Sequence, residues 1–179
     1  MSIVIDLRSV IDEGVGASLD LKGQTEVFTS KGDDTAQLKL GPVEFCCTAP
    51  VEYEINLIHA GECVQAFGKV SASLDTSCVR CLKDFDFGID ADFEESFFFE
   101  PCDDEHGQAY PVIDESQKID IEPLLREVLL IEAPFAPVHD SECQGLCVKC
   151  GLDLNEGECD CAYEIDASHP FASLKDIVN

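Results

Sequence analysis

Basic side chains are scarce in this chain. Eleven Lys and Arg stand against 37 Asp and Glu in 179 residues, a formal net charge of −26 at neutral pH. Contacts from Lys and Arg to phosphate supply most sequence-independent affinity for nucleic acid, so a mean field that repels phosphate excludes a bare nucleic-acid glove. A basic partner would be drawn in instead. Long apolar runs are also missing. No stretch approaches the roughly 18 residues of a membrane span, and residues 1–10 hold one basic residue, Arg8, and no signal-type apolar core. Secretion has no support, and a cytoplasmic location is expected. There is no repeat period, which sets solenoids and propellers aside. A phosphate-cradling glycine loop, a nucleophile elbow and a His-Glu-x-x-His pattern are all absent, and carboxylates are too numerous for an acid/base pair to stand out. The residues give an enzyme no support.

What is present is the composition of a globular protein. The hydrophobic fraction is 45%, too high for a chain disordered throughout, and the length suits one domain or one with a small appendage. From residue 51 to 57, Val51, Tyr53, Ile55 and Leu57 alternate with Glu52, Glu54 and Asn56, the period of a strand with one wet face. A second strand sets Val64, Ala66, Val70, Ala72 and Leu74 against Gln65, Lys69, Ser71 and Ser73. The third is the cleanest. Phe85, Phe87, Ile89, Ala91 and Phe93 oppose Asp86, Asp90, Asp92 and Glu94, until Glu95 and Ser96 break the register as a bulge would. Residues 3–7 and 37–45 read as further strands, and short connections favour antiparallel pairing. Residues 101–118, with Asp103, Asp104, Glu105 and His106, read as a solvated acidic loop.

At Asp120 the period changes to helical. Ile121, Leu124, Leu125, Val128 and Leu129 share a stripe, with Asp120 as N-cap, Pro123 tolerated in the first turn and Pro134 as the stop. The stripe is expected to pack on the sheet. A short last helix is expected over residues 168–178. These elements predict an α+β fold: a mainly antiparallel sheet, curled toward a barrel and covered by the helix over residues 121–131. Residues 1–133 form the β-rich domain and 134–179 a Cys-rich hook.

Eleven cysteines, an odd number in an expected reducing compartment, point to metal ligands, buried small residues or redox thiols rather than a disulfide framework. The stronger spacing is Cys143-x3-Cys147-x2-Cys150-Gly151, followed by Cys159-x-Cys161. A Cys-x-x-Cys-Gly turn aims both sulfurs into one concavity, and residues two apart in an extended segment share a face. Cys147, Cys150, Cys159 and Cys161 are the leading four-thiolate zinc ligands, with Cys143 as the substitute. Free thiols in a flexible tail and redox disulfides are the competing readings. A structural zinc contributes roughly 10 to 16 kcal/mol of apparent binding free energy in finger peptides, enough to order a segment poor in core residues.

The weaker spacing is Cys78-Val79-Arg80-Cys81, between the second and third clear strands and without a following glycine. It admits three readings: half of a second zinc site completed by His139 and Cys143, ordinary reduced cysteines in a loop, or a redox pair. A thioredoxin-type pair would sit at a helix N-terminus after a strand, and this one does not. Cys46, Cys47, Cys63 and Cys102 have no spacing logic and read as small buried residues. His59 and His106 have no partner visible in the sequence.

Taken together, Cys78-Val-Arg-Cys81-Leu82, Ile119-Asp-Ile-Glu-Pro-Leu-Leu-Arg-Glu127, Cys143-Gln-Gly-Leu-Cys147-Val-Lys-Cys150-Gly151, Leu154-Asn155, Cys159-Asp-Cys161 and Pro170-Phe-Ala-Ser-Leu-Lys175 resemble the YceD family. These are bacterial and plastid proteins associated with accumulation of large-subunit ribosomal RNA. The resemblance is specific over residues 78–175 and generic before that. It implies a non-catalytic factor for the large ribosomal subunit, since relatives often lie beside the gene for a small basic ribosomal protein of that subunit. Some relatives keep the Cys-x-x-Cys and the stretch equivalent to His139–Glu142 without most terminal cysteines, which implies that a shared activity sits near Cys78, Cys81, His139 and Cys143. Acids are in excess in every third of the chain, so contact is expected through a basic ribosomal protein or a pre-ribosomal particle rather than naked RNA. The alternative from a different class is a thiol-disulfide oxidoreductase using Cys78 and Cys81.

Overall fold

The computed structural model describes residues 3–26, 28, 38–40, 43–102 and 111–161. The periodicities become a six-stranded antiparallel sheet. Its strands are β2 (Ser18–Thr25), β3 (Leu38–Leu40), β4 (Val43–Cys47), β5 (Val51–His59), β6 (Cys63–Ser77) and β7 (Asp84–Phe98). A separate antiparallel pair joins β1 (Val4–Asp6) to β8 (Lys118–Asp120), and two helices, α1 (Arg8–Glu13) and α2 (Glu122–Glu132), complete the fold.

β6 is the spine. On one side it pairs with β5 over its first half and with β4 through Cys46↔Asp75 and Cys47↔Leu74; on the other it pairs with β7 along its whole length. The strand order is β2-β5-β6-β4-β3 with β7 beside β6, so the sheet stays open and is not the barrel the sequence suggested. Barrel closure needs the outer strands to meet, and among the described residues β7 pairs with no strand except β6. The expected bulge is absent as well. Pairing runs unbroken from Cys63↔Phe98 to Ser77↔Asp84. Glu95 simply occupies an inward position at the sheet's rim, half-buried, where its carboxylate accepts a hydrogen bond from the Ser96 N–H at 2.8 Å.

Inward side chains Val51, Ile55, Leu57, Val64, Ala66, Val70, Leu74, Ile89 and Phe93 form the core with Leu125 and Leu129 of α2. The outer face is acidic. Asp84, Asp86, Asp90, Asp92 and Glu94 stand exposed at every other position of β7 apart from Gly88. Cross-strand partners soften the repulsion locally: Lys69 Nζ lies 3.1 Å from Asp92, and Lys22 Nζ 2.6 Å from Glu54. Such exposed pairs contribute about 0 to 1 kcal/mol each.

Gly68 and Gly23 are required by aromatic rings on the inward side. A Cβ on Gly68 would overlap the Glu54 carbonyl oxygen and Phe93 Cζ, and one on Gly23 would overlap the Tyr53 ring, with Cζ at 2.6 Å. Phe93 is directly opposite Gly68 and Tyr53 opposite Gly23, so each ring lies over a position left bare for it.

α2 stops before Pro134 as expected, but its N-cap is Ile121, without a side-chain cap, and not the expected Asp120 one position earlier. Asp120 Oδ1 accepts from Glu122 N at 3.0 Å and also from Ile3 N at 2.9 Å, tying the helix start to β1. Arg126 pairs with Glu122 one turn earlier at 2.7 Å. Leu125 and Leu129 are fully buried, whereas Ile131 is 74% and Phe135 72% exposed.

Three elements went unforeseen, β2, α1 and β8, and the one strand expected over residues 37–45 is two, β3 and β4, paired antiparallel from Leu38↔Phe45 to Leu40↔Val43. The inward residues Leu19 and Leu21 of β2 are only half-buried, and α1 has six residues, one buried side chain and no side-chain cap. The expected acidic loop is corrected at its far end. Val112 bridges Phe98, Ile113 is buried, and β8 begins at Lys118. Residues 103–110 of that loop and the expected helix over 168–178 lie outside the described residues.

Candidate metal centres

The connection between β6 and β7 is a tight turn carrying Cys78 to Lys83. Cys78 N donates to Lys83 O at 2.9 Å, Leu82 N to Cys78 O at 2.9 Å, and Arg80 N to Cys78 Sγ at 3.4 Å. The second Cys-x-x-Cys repeats this geometry. Cys147 N donates to Leu152 O at 2.8 Å and Gly151 N to Cys147 O at 2.8 Å. In both turns the residue after the second cysteine takes a left-handed backbone, with φ 73° at Gly151 and φ 62° at Leu82.

The glycine missing from the first turn is therefore missing from a position whose geometry asks for one. A left-handed conformation costs a non-glycine residue roughly 1 to 2 kcal/mol, and Leu82, 66% exposed, recovers little by burial. Leu82→Gly should stabilise the protein by about 0.5 to 1 kcal/mol after the entropic cost of glycine, raising its thermal midpoint by about 2 °C. A fall in the midpoint would show that the turn is not strained.

Residues 137–146 are strapped across this tip. Val79 N donates to Pro137 O at 2.9 Å, Leu146 N to Arg80 O at 3.1 Å, and Arg80 Nη1 to Cys143 O at 3.0 Å and Ser141 O at 3.2 Å. The strap brings His139 and Cys143 to the turn. Cys78 Sγ lies 3.9 Å from Cys143 Sγ, and Cys81 Sγ 3.4 Å from His139 Nδ1. The ligand atoms of all four residues lie within 4.8 Å of one another. The three sulfurs are buried among Phe85, Val138 and Leu146.

Cys147, Cys150, Cys159 and Cys161 form the second group, again within 4.8 Å of one another and more open to solvent. Cys143, the expected substitute ligand for this group, stands with Cys78 instead. Asn155 links the two groups: its Oδ1 accepts from Gln144 N at 2.7 Å, and its Nδ2 lies 3.5 Å from Cys143 Sγ. Asn155 and Arg80 are the supports that spacing did not single out as such. They lie inside the Leu154-Asn155 and Cys-Val-Arg-Cys motifs, but their roles emerge only when strap and turn are seen together.

The remaining cysteines divide. Cys47 and Cys63 are buried as expected, and burial pushes the Cys47 thiol up to about 12; Cys46 and Cys102 are only half-buried. His59 is buried against Phe99, with ring centroids 5.3 Å apart, and its Nδ1 accepts from Gly61 N at 3.1 Å. His106 lies outside the described residues.

Protons are shared unevenly among the clustered sulfurs. Burial opposes a Cys78 thiolate, yet hydrogen bonds from His139 and from the backbone around the turn hold that thiol down at about 5. Cys81 is pushed up to about 11, by burial first and then by the neighbouring thiols. In the other group the backbone N–H groups of Cys150 and Lys149 bring Cys147 down to about 6, while its neighbours' sulfurs push Cys161 up to about 12. Closely spaced thiolates repel one another, so one ionises and the next retains its proton. A divalent cation relieves that repulsion and displaces the protons. Both clusters could hold a metal ion: three thiols with an imidazole in one, four thiols in the other.

The class thus defined is a β-rich, strongly acidic protein with two Cys/His clusters gathered at one hairpin tip. The model of the family described as "Large ribosomal RNA subunit accumulation protein YceD" matches residues 67–178, and the chain belongs to that family. It is 30% identical over 110 residues to an uncharacterised protein of Mycobacterium leprae, covering 59% of this chain and 50% of that protein. An uncharacterised protein of Mycobacterium tuberculosis is 29% identical over 113 residues, 59% of this chain and 52% of its own length. The large ribosomal RNA subunit accumulation protein YCED homolog 1, chloroplastic, of Arabidopsis thaliana is 40% identical over 50 residues, 28% of this chain and 16% of the plant protein. The chain spans about half the length of the mycobacterial relatives it matches. No solved structure matches it. Among the described residues no helix is long and apolar enough to cross a membrane.

Proposed function

We propose that this protein is a non-catalytic cytoplasmic factor that supports accumulation or stability of large-subunit ribosomal RNA, acting through a basic ribosomal protein or a pre-ribosomal particle. The observation that carries the reading is the family match over residues 67–178. The charge of −26 gives it direction. A protein so acidic meets an rRNA-bound assembly most readily at its cationic proteins, whose tails it can shield before they reach RNA. Both clusters serve as structural zinc sites in this reading, because soft thiolate and imidazole donors converging on one point suit tetrahedral zinc.

The oxidoreductase reading has less support. Cys78 has the low thiol pKa such chemistry wants, but its sulfur is fully buried and shares its cluster with His139 and Cys143. Exchange with a second protein's disulfide needs access.

The test is a salt titration. Binding to a purified basic large-subunit ribosomal protein should weaken steeply as ionic strength rises, by about tenfold or more between 0.05 and 0.3 M salt, because screening shortens the reach of the acidic field. Tight binding to naked rRNA, with no affinity for any ribosomal protein, would overturn the reading.

A further inference from the structure

β7 is an edge, and its chemistry is asymmetric in a way that selects a partner. Phe98 N donates to Pro111 O and Phe98 O accepts from Ile113 N, so the backbone polar groups of Phe98 point away from β6. At the opposite end Cys78 N donates to Lys83 O, which points Lys83 toward β6. Backbone groups in an antiparallel strand alternate in direction. The N–H and C=O groups of Asp86, Gly88, Asp90, Asp92 and Glu94 therefore face the open side, where no strand among the described residues pairs with them. Ser96 closes the row, since its N–H is taken by the Glu95 carboxylate.

On the inward side this edge borders a groove of about 340 Å³ between β7 and α2. Ala91, Phe93, Leu124, Val128 and Ile131 give it an apolar strip, and the acidic residues Asp92, Glu94, Glu95, Glu127 and Glu132 line the rest. On the outward side stand the carboxylates of Asp86, Asp90, Asp92 and Glu94. A strand added to this edge would send alternate side chains to these two different environments.

We propose that the open edge of β7 is a β-augmentation site for an extended segment of a basic partner in which Lys or Arg alternates with apolar residues. The basic set lies along the outward carboxylates and the apolar set enters the groove under α2, while the backbone continues the sheet. Open edges are commonly defended by charge against other chains. Here every charge on the outward row of β7 is negative, so the defence acts against a second copy of this chain and favours a cationic strand. The proposal rests on the partner of the functional reading being basic and specifies how it is held.

The probe is a synthetic nine-residue peptide alternating Lys and Val, compared with one of the same composition in which the lysines and valines are segregated. Both carry the same charge, so simple electrostatic attraction treats them alike. The alternating peptide should bind at least about tenfold more tightly, a difference of about 1.4 kcal/mol. Asp92→Ala and Asp92→Pro lose the same charge, but only proline removes an edge N–H, and it does so on the side where a sheet tolerates proline. Asp92→Pro should bind the alternating peptide about tenfold more weakly than Asp92→Ala. Ile131→Lys, on an exposed helix position, should weaken binding to a similar degree without touching the strand, which keeps the proposal exposed to failure should the proline variant not fold. Equal binding of the two peptides, or no loss in Asp92→Pro relative to Asp92→Ala, overturns it. A ribosomal protein that binds wild type and Asp92→Pro equally sinks this edge site and leaves the functional reading intact. Peptide binding that follows the pattern, with no ribosomal protein bound, does the reverse.

Discussion

With both clusters holding a metal ion as proposed, Cys143→Ser should lose the ion at the β6–β7 tip and loosen residues 137–146 from it while the sheet stays folded. The sulfur of Cys143 is buried 3.9 Å from that of Cys78, so its loss leaves three donors and opens a coordination position at the centre of the strap. The strap has little else to hold it. Its apolar contacts with the tip are Phe85, Val138 and Leu146, its backbone hydrogen bonds to the tip are the few made with Val79 and Arg80, and Asn155 and Leu154 hold it from the other side at Gln144 and Gly145. Against that, a structural zinc contributes on the order of 10 kcal/mol in peptides that fold around it. Metal analysis should find two ions per wild-type chain, one in Cys143→Ser and one in Cys147→Ser. Amide exchange should quicken across residues 137–146 in the first variant and leave β5 and β6 protected. Two ions retained in Cys143→Ser, with residues 137–146 still protected, would mean that Cys143 is not a ligand that holds the strap to the tip.

Gly68→Ala should destabilise the sheet by about 3 kcal/mol or more, the upper range for overpacking a filled core, and lower the thermal midpoint by about 10 °C. The added methyl meets Phe93 on one side and the Glu54 carbonyl on the other. A ring can swing aside, but the carbonyl belongs to β5, which is paired with β6 along eight consecutive residues from Glu52↔Ser71 to His59↔Val64. The backbone cannot retreat without breaking that ladder. Gly23→Ala is the control, because there the new methyl meets only the far end of the Tyr53 side chain. It should cost about 1 kcal/mol. Equal losses at the two glycines would show that the rings, and not the backbone, set the cost.

Elements with a strong period were legible in the sequence. β5, β6 and β7 alternate because one face is buried and the other is wet, and the stripe from Ile121 to Leu129 marks α2 for the same reason with a period of 3.6. β2 escaped notice because an edge strand need bury only half-covered residues such as Leu19 and Leu21. Glu95 was misleading for a related reason: a carboxylate at an inward position interrupts the alternation, yet at the rim it faces a groove and the register continues through it. Whether the sheet closes depends on which strands meet at the far edges, and alternation within a strand carries no record of that.

The two Cys-x-x-Cys turns and the neighbourhood of Cys159 and Cys161 could be drawn from spacing, since a five-residue turn and an i, i+2 pair fix where sulfurs point over short stretches of backbone. The sequence by itself thus determined the faces of β5, β6 and β7, the apolar stripe of α2, the acidic surface and the four thiols gathered from residues 147–161. Only the tertiary structure decided that Cys143 joins Cys78, 65 positions away, that Leu82 takes a conformation suited to glycine, and that among the described residues β7 pairs with β6 alone. The physical reason is range. Local backbone geometry and side-chain periodicity are written within a few residues, whereas the company a side chain keeps across the fold is set by how separate elements bury their apolar faces together.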